Sequence, residues 1–131
     1  MNEILAWSPL GNRLFGVIAP NSGNQKILVK YGTDEQKKKW LIPLINQEME
    51  SGFSMTEPDS AGSDPRSLKT TAVREGDEWV INGHKIMTSN GNRADFLVVM
   101  CKTEDDSDDG GANSKMTQII VPTDTPGQGC Q

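Results

Sequence analysis

The chain has 131 residues, a formal net charge of −5, 34% hydrophobic and only 5% aromatic residues. That length suffices for one domain with a real core, but the apolar content is lean for an independent enzyme. The acidic balance argues against nucleic acid or an anionic membrane as partner. No apolar run is long enough for stable membrane insertion, and no targeting segment is visible after Met1.

In chain order, residues 1–18 scatter apolar positions around Pro9 and Gly11, which allows only broken helix. From Asn24, the positions Ile27, Leu28 and Tyr31 recur at helical spacing, and Gly32 is a stop. Thr33 is suited to cap a second helix, with Glu35 and Gln36 in its opening turn and an apolar stripe of Trp40, Leu41, Leu44 and Ile45. Lys37–Lys39 form its wet face, and Pro43 should kink or shorten it, with an end near residue 47.

After Gly52 the character becomes β. Runs rich in Thr, Val and Ile span Leu68–Arg74, Glu78–Ile81, Lys85–Ser89, Asp95–Lys102 and Met116–Val121. Glu75-Gly76-Asp77 and Asn82-Gly83 read as hairpin turns, the second as a primed turn with positive φ. The expected fold class is α+β: N-terminal helices followed by an antiparallel β-barrel or sandwich. Residues 104–114 carry five carboxylates and read as a solvated loop. Clustered carboxylates attract hard cations, but this spacing lacks the EF-hand pattern, and no metal site is assigned.

Cys101 and Cys130 fit neither a disulfide framework nor a metal knuckle, and read as free thiols in a reducing, intracellular compartment. Cys101 lies in an apolar strand pattern, where a small buried hydrophobe is expected. His84, the single histidine, has no partners for a triad or a metal and reads as a surface residue.

The most informative segment is Phe53-Ser54-Met55-Thr56-Glu57-Pro58-Asp59-Ser60-Ala61-Gly62-Ser63-Asp64. A short run that can be a strand (Phe53 to Thr56) meets Pro58, which cannot continue a ladder, and then small polar residues suited to close approach of a flat polar ligand. Asp64-Pro65 is a turn or helix-start signal, which makes Asp64 structural. Together with Gly83-His84-Lys85-Ile86-Met87-Thr88-Ser89-Asn90-Gly91, this segment closely resembles the flavin-binding middle domain of the acyl-CoA dehydrogenase family. Further matches in the family's order are Tyr31-Gly32-Thr33-Asp34-Glu35-Gln36-Lys37, Trp40-Leu41-Ile42-Pro43-Leu44, Leu68-Lys69-Thr70-Thr71-Ala72 and Trp79-Val80-Ile81-Asn82-Gly83. The resemblance runs from about Ala19 to Gly127, and the Ala19–Asn24 opening is similar to the branch acting on long or branched acyl-CoA.

The resemblance implies three domains in the whole enzyme, of which this chain would hold the end of the N-terminal helical domain (1–50) and an incomplete middle β-domain (51–131). It implies FAD as cofactor, with Phe53, Met55, Thr56, Gly62, Ser63, Met87, Thr88 and Ser89 around it. Thr56 and Ser89 match hydroxyls that hydrogen-bond the flavin ring; the bland alternative is two strand hydroxyls satisfied by backbone. Met87 stands where the family often has an aromatic packed on the flavin, a departure that a soft thioether partly offsets. Ser63 matches a serine that also contacts the substrate's pantetheine arm, or else caps the turn before Pro65.

The catalytic base is implied in a C-terminal bundle outside this chain, so no catalytic residue is assigned and Glu57 is not taken as the base. The implied substrate is an acyl-CoA, with electron-transfer flavoprotein or oxygen as acceptor, in a mitochondrial or peroxisomal enzyme that is a homo-oligomer when full length. On this reading the isolated chain is inactive. Rival readings are a non-catalytic flavin, CoA or subunit-binding module, a ligand-free β-module, and a related acyl-CoA oxidase or nitroalkane oxidase.

Overall fold

The computed structural model describes residues 2–62, 64–103 and 115–129. Two short helical turns, α1 (Asn2–Leu5) and α2 (Gly11–Leu14), are the broken helix expected around Pro9 and Gly11. Helix α3 (Asn21–Tyr31) starts at Asn21 rather than Asn24. No side chain caps its start; Asn21 and Asn24 instead turn toward the sheet, where they bond Ser51 and Gly52.

Thr33 makes a full capping box: its hydroxyl accepts from the Gln36 N–H, and the Gln36 side chain accepts from the Thr33 N–H. The helix continues as α4 (Asp34–Gln36), a π-turn over Lys37–Leu41, and α5 (Ile42–Ile45). Pro43 accounts for the wide turn. A proline ring lacks an N–H and would crowd the Lys39 carbonyl, and the Ile42 N–H relieves this by bonding back to the Lys37 carbonyl. The kink expected at Pro43 is thus a π-bulge that keeps Trp40, Leu41 and Leu44 buried on one side.

Five strands form one mixed sheet: β1 (Ser51–Ser54), β2 (Thr71–Glu75), β3 (Glu78–Asn82), β4 (Phe96–Thr103) and β5 (Lys115–Pro122). β5 runs antiparallel along all of β4, from Phe96 opposite Pro122 to Thr103 opposite Lys115. The other edge of β4 is shared. β1 pairs in parallel with Phe96–Val99, β2 pairs in parallel with Lys102 and Thr103, and β3 returns antiparallel on β2.

This corrects two expectations. The sheet is not an antiparallel barrel or sandwich: among the described residues it is open, and β1 and β2 reach β4 through connections long enough to cross over, which permits parallel alignment. Lys85–Ser89 is not a strand either; it pairs with 53–56 only through an isolated bridge at Ser89 and one bond from Ile86, with Met87 between them at positive φ. Gly76, at φ +64°, turns the β2–β3 hairpin as expected. Asn82-Gly83 makes no hairpin: Gly83 has no positive φ, and its value is the absent side chain, because a Cβ there would overlap the Thr70 hydroxyl.

β4 is the spine, and its alternation builds two cores. Phe96 and Val98 pack against Leu28, Trp40, Leu41 and Leu44 of the helices, with the Trp40 and Phe96 ring centroids 4.9 Å apart. Leu97, Val99 and Cys101 face the other way and join Ala72, Ala94, Ile81, Ile119 and Val121. Cys101 is a buried apolar filler, as its strand pattern suggested, and burial raises its thiol pKa. Residues 104–114, expected to form a solvated loop, and Ser63 and Cys130 lie outside the described residues. No helix among the described residues is long and apolar enough to cross a membrane.

Candidate functional site

β1 ends at Ser54, and the chain runs on through Met55, Thr56 and Glu57 while β4 still extends beside it. Alongside lies the 86–89 segment. The Phe53 N–H donates to the Ser89 carbonyl at 3.4 Å, and the Ile86 N–H donates to the Thr56 carbonyl at 2.9 Å. Between these two bonds the Ser54 and Thr88 hydroxyls meet at 2.8 Å. The two segments singled out in the sequence, far apart along the chain, therefore form one antiparallel strip.

Most residues expected around a cofactor sit on this strip or at its end: Phe53, Met55, Thr56, Met87, Thr88 and Ser89. Gly62 returns close to it, since a Cβ built there would touch the Thr56 methyl at 3.8 Å. Ser63 is not among the described residues. The hydroxyls of Thr56 and Ser89 have no hydrogen-bond partner among the described residues. Met87, at φ +53° and 87% exposed, presents an apolar side chain to solvent two residues before Ser89.

Glu57 is the residue that sequence reasoning left without a role. It is buried, and it closes the gap where β1 has left β4 and β2 has not yet begun. Its carboxylate accepts from the backbone N–H groups of Lys69 and of Thr70, the latter at 2.9 Å, and from the hydroxyls of Thr70 and Ser60. The Lys85 ammonium donates to the same carboxylate at 2.8 Å and to the Met55 carbonyl at 3.0 Å. Burial opposes ionisation of Glu57, but the bonds from Lys85, Thr70 and the two amides prevail and bring its pKa to about 2. A carboxylate held so firmly ionised and so fully occupied is no proton acceptor for substrate. The sequence signal for this role was a lone Glu before Pro58 with Lys85 in the other segment, but only the fold shows that they meet.

A second cluster fixes the strip's far end. Glu50 accepts from Asn90 at 2.8 Å, Arg93 at 2.9 Å and Arg13 at 3.2 Å. The Asn90 bond, against the effect of burial and with help from both arginines, lowers the Glu50 pKa. Asn90, in the left-handed region at φ +62°, also donates to the Ser51 carbonyl, so the turn after Ser89 is anchored to β1. Asp64 accepts from the Arg66 N–H at the start of a short 3-10 turn, the structural role expected of it. His84 is exposed, as expected.

The strip thus joins a strand end to a neighbouring segment, with the Thr56 and Ser89 hydroxyls and the exposed Met87 thioether on it. A sequence profile described as "Acyl-CoA dehydrogenase, middle domain" matches residues 52–131, and the chain belongs to the acyl-CoA dehydrogenase family. It is 40% identical over 128 residues to a probable acyl-CoA dehydrogenase, FadE2, of Mycobacterium tuberculosis, an alignment covering 95% of this chain and 31% of that protein. Among solved structures it is similar to a putative acyl-CoA dehydrogenase from Mycobacterium abscessus, with a TM-score of 0.80 and 39% identity over 90% of this chain and 29% of the other. It is also similar to a glutaryl-CoA dehydrogenase from Mycobacterium smegmatis in complex with FADH2, with a TM-score of 0.68 and 36% identity over 79% of this chain and 24% of the other. The chain thus spans less than a third of the length of these relatives.

Proposed function

We propose that this chain is the flavin-holding part of an FAD-dependent acyl-CoA dehydrogenase. The observation that supports the reading is the paired strip, which brings the two motif segments together and leaves the Thr56 hydroxyl, at the end paired with Ile86, and the Ser89 hydroxyl, at the end paired with Phe53, without partners among the described residues. Bound FAD would supply the hydride acceptor for α,β-dehydrogenation of an acyl-CoA thioester. The chain's own part is positional. Thr56 and Ser89 donate to polar atoms of the ring edge, Met55 and Met87 offer soft apolar contact, and Gly62 lets the loop return close to Thr56.

Glu57, committed to its five donors, does not fit the general base; the reading assigns proton removal to a group outside this chain, so that the chain alone does not turn over acyl-CoA. Electron-transfer flavoprotein or oxygen would take the electrons from the whole enzyme. The glutaryl-CoA dehydrogenase similarity, with its bound FADH2, supports the choice of cofactor. The reading is tested by FAD titration of wild type and of Thr56→Ala/Ser89→Ala. Loss of two hydrogen bonds should weaken binding by roughly tenfold or more, whereas equal binding by both proteins would sink the assignment.

A further inference from the structure

Lys85 belongs to the second segment, yet both of its bonds go to the first: one to the Met55 carbonyl at 3.0 Å and one to the Glu57 carboxylate at 2.8 Å. Its side chain is only 10% exposed and that of Glu57 4%, so the pair is shielded from solvent. Glu57 in turn holds the backbone of Lys69 and Thr70, whose next residues enter β2. The pair therefore ties three chain segments at the point where β4 loses its ladder partner. Among the described residues, two backbone bonds, at Phe53 and Ile86, and one hydroxyl pair join the segments along the strip, and Asn90 anchors the end beyond Ser89. Such a short pairing is weak unless tertiary contacts fix its register.

We propose that Lys85, through its bridge to Met55 and Glu57, is a positioning residue that sets the register of the strip and hence the spacing of the Thr56 and Ser89 hydroxyls. This deepens the flavin reading and rests on it. It acts on the strip by holding the Met55 carbonyl, between the end of β1 and Thr56. A purely stabilising role makes a different forecast. If only the buried charge pair mattered, removing both charges together would restore normal behaviour, because no charge would be left without a partner.

The test uses the full 131-residue chain as wild type, Lys85→Met and the double variant Glu57→Gln/Lys85→Met. Amide hydrogen exchange is read at Ile86 and Phe53, with β4 amides as internal reference, and FAD affinity is measured by fluorescence titration. The expected result is protection at Ile86 reduced by about tenfold or more in both variants, as loss of hydrogen bonds to a charged group implies, with β4 unchanged. FAD affinity should fall in parallel, and the double variant should regain thermal stability without regaining Ile86 protection. Should Lys85→Met fail to fold, the double variant decides alone. Unchanged Ile86 protection in a folded variant, or its recovery in the double variant, overturns the positioning role. Failure of wild type to bind FAD would instead strike the flavin reading, while the exchange comparison would still decide the role of Lys85.

Discussion

Replacing Glu57 by Gln keeps the side chain's shape and removes its charge. The fall in pKa from 4.5 to about 2 corresponds, at ~1.4 kcal/mol per unit, to about 3 kcal/mol of folding stability at neutral pH. Because the folded-state pKa is depressed, this stability is fully present above pH 4.5 and is lost as the pH falls toward 2. The variant also leaves the Lys85 ammonium buried without its counter-charge, which makes about 3–5 kcal/mol the expected loss at pH 7. That is a large share of the roughly 5–15 kcal/mol typical of a domain. Urea unfolding followed by the fluorescence of buried Trp40, at a series of pH values from 7 to 2.5, reads the difference directly. The gap between wild type and Glu57→Gln should narrow by about 2 kcal/mol between pH 4.5 and pH 2.5. A gap that stays constant across this range would refute the assignment of Glu57 as an ionised, fully bonded staple.

Gly83→Ala drives a Cβ into the Thr70 hydroxyl that bonds Glu57, and should cost about 1–3 kcal/mol in chemical denaturation; wild-type stability would contradict the close approach. Gly76→Ala meets open space but keeps φ at +64°, so its cost should be only about 1–2 kcal/mol of backbone strain, and a null effect would mean that the turn adapts. Phe96→Ala empties the contact with Trp40 at a fully buried position and should cost about 3–5 kcal/mol, with a matching fall in Tm. A loss below about 1 kcal/mol would show that β4 does not organise the core.

Local chemistry was legible in the sequence, and long-range pairing was not. The Thr33 box and the Gly76 turn are set by neighbours within a few residues, so their residue types announce them. The apolar run of β4 was visible for the same reason, although its burial on both faces reflects packing between two cores. The parallel pairing of β1 and β2 with one edge of β4 depends on crossovers that no periodicity encodes, and short strands with close turns suggested an antiparallel barrel instead. Asn82-Gly83 carried a turn dipeptide whose glycine serves clearance from Thr70 rather than conformation. At the site, the two motifs pointed to the segments that the fold pairs, 53–56 and 86–89. The role of Glu57 as acceptor for the backbone just before β2 was hidden because Lys69, Thr70 and Lys85 reach it only in the folded chain.

The most direct test of the central claim is an FAD titration of the isotope-labelled chain followed by backbone NMR. The paired-strip account predicts saturable shifts concentrated in residues 53–62 and 86–89, with the β2–β3 hairpin tip at Gly76 unmoved. Shifts that spare Thr56 and Ser89, or that spread evenly over the sheet, would contradict it.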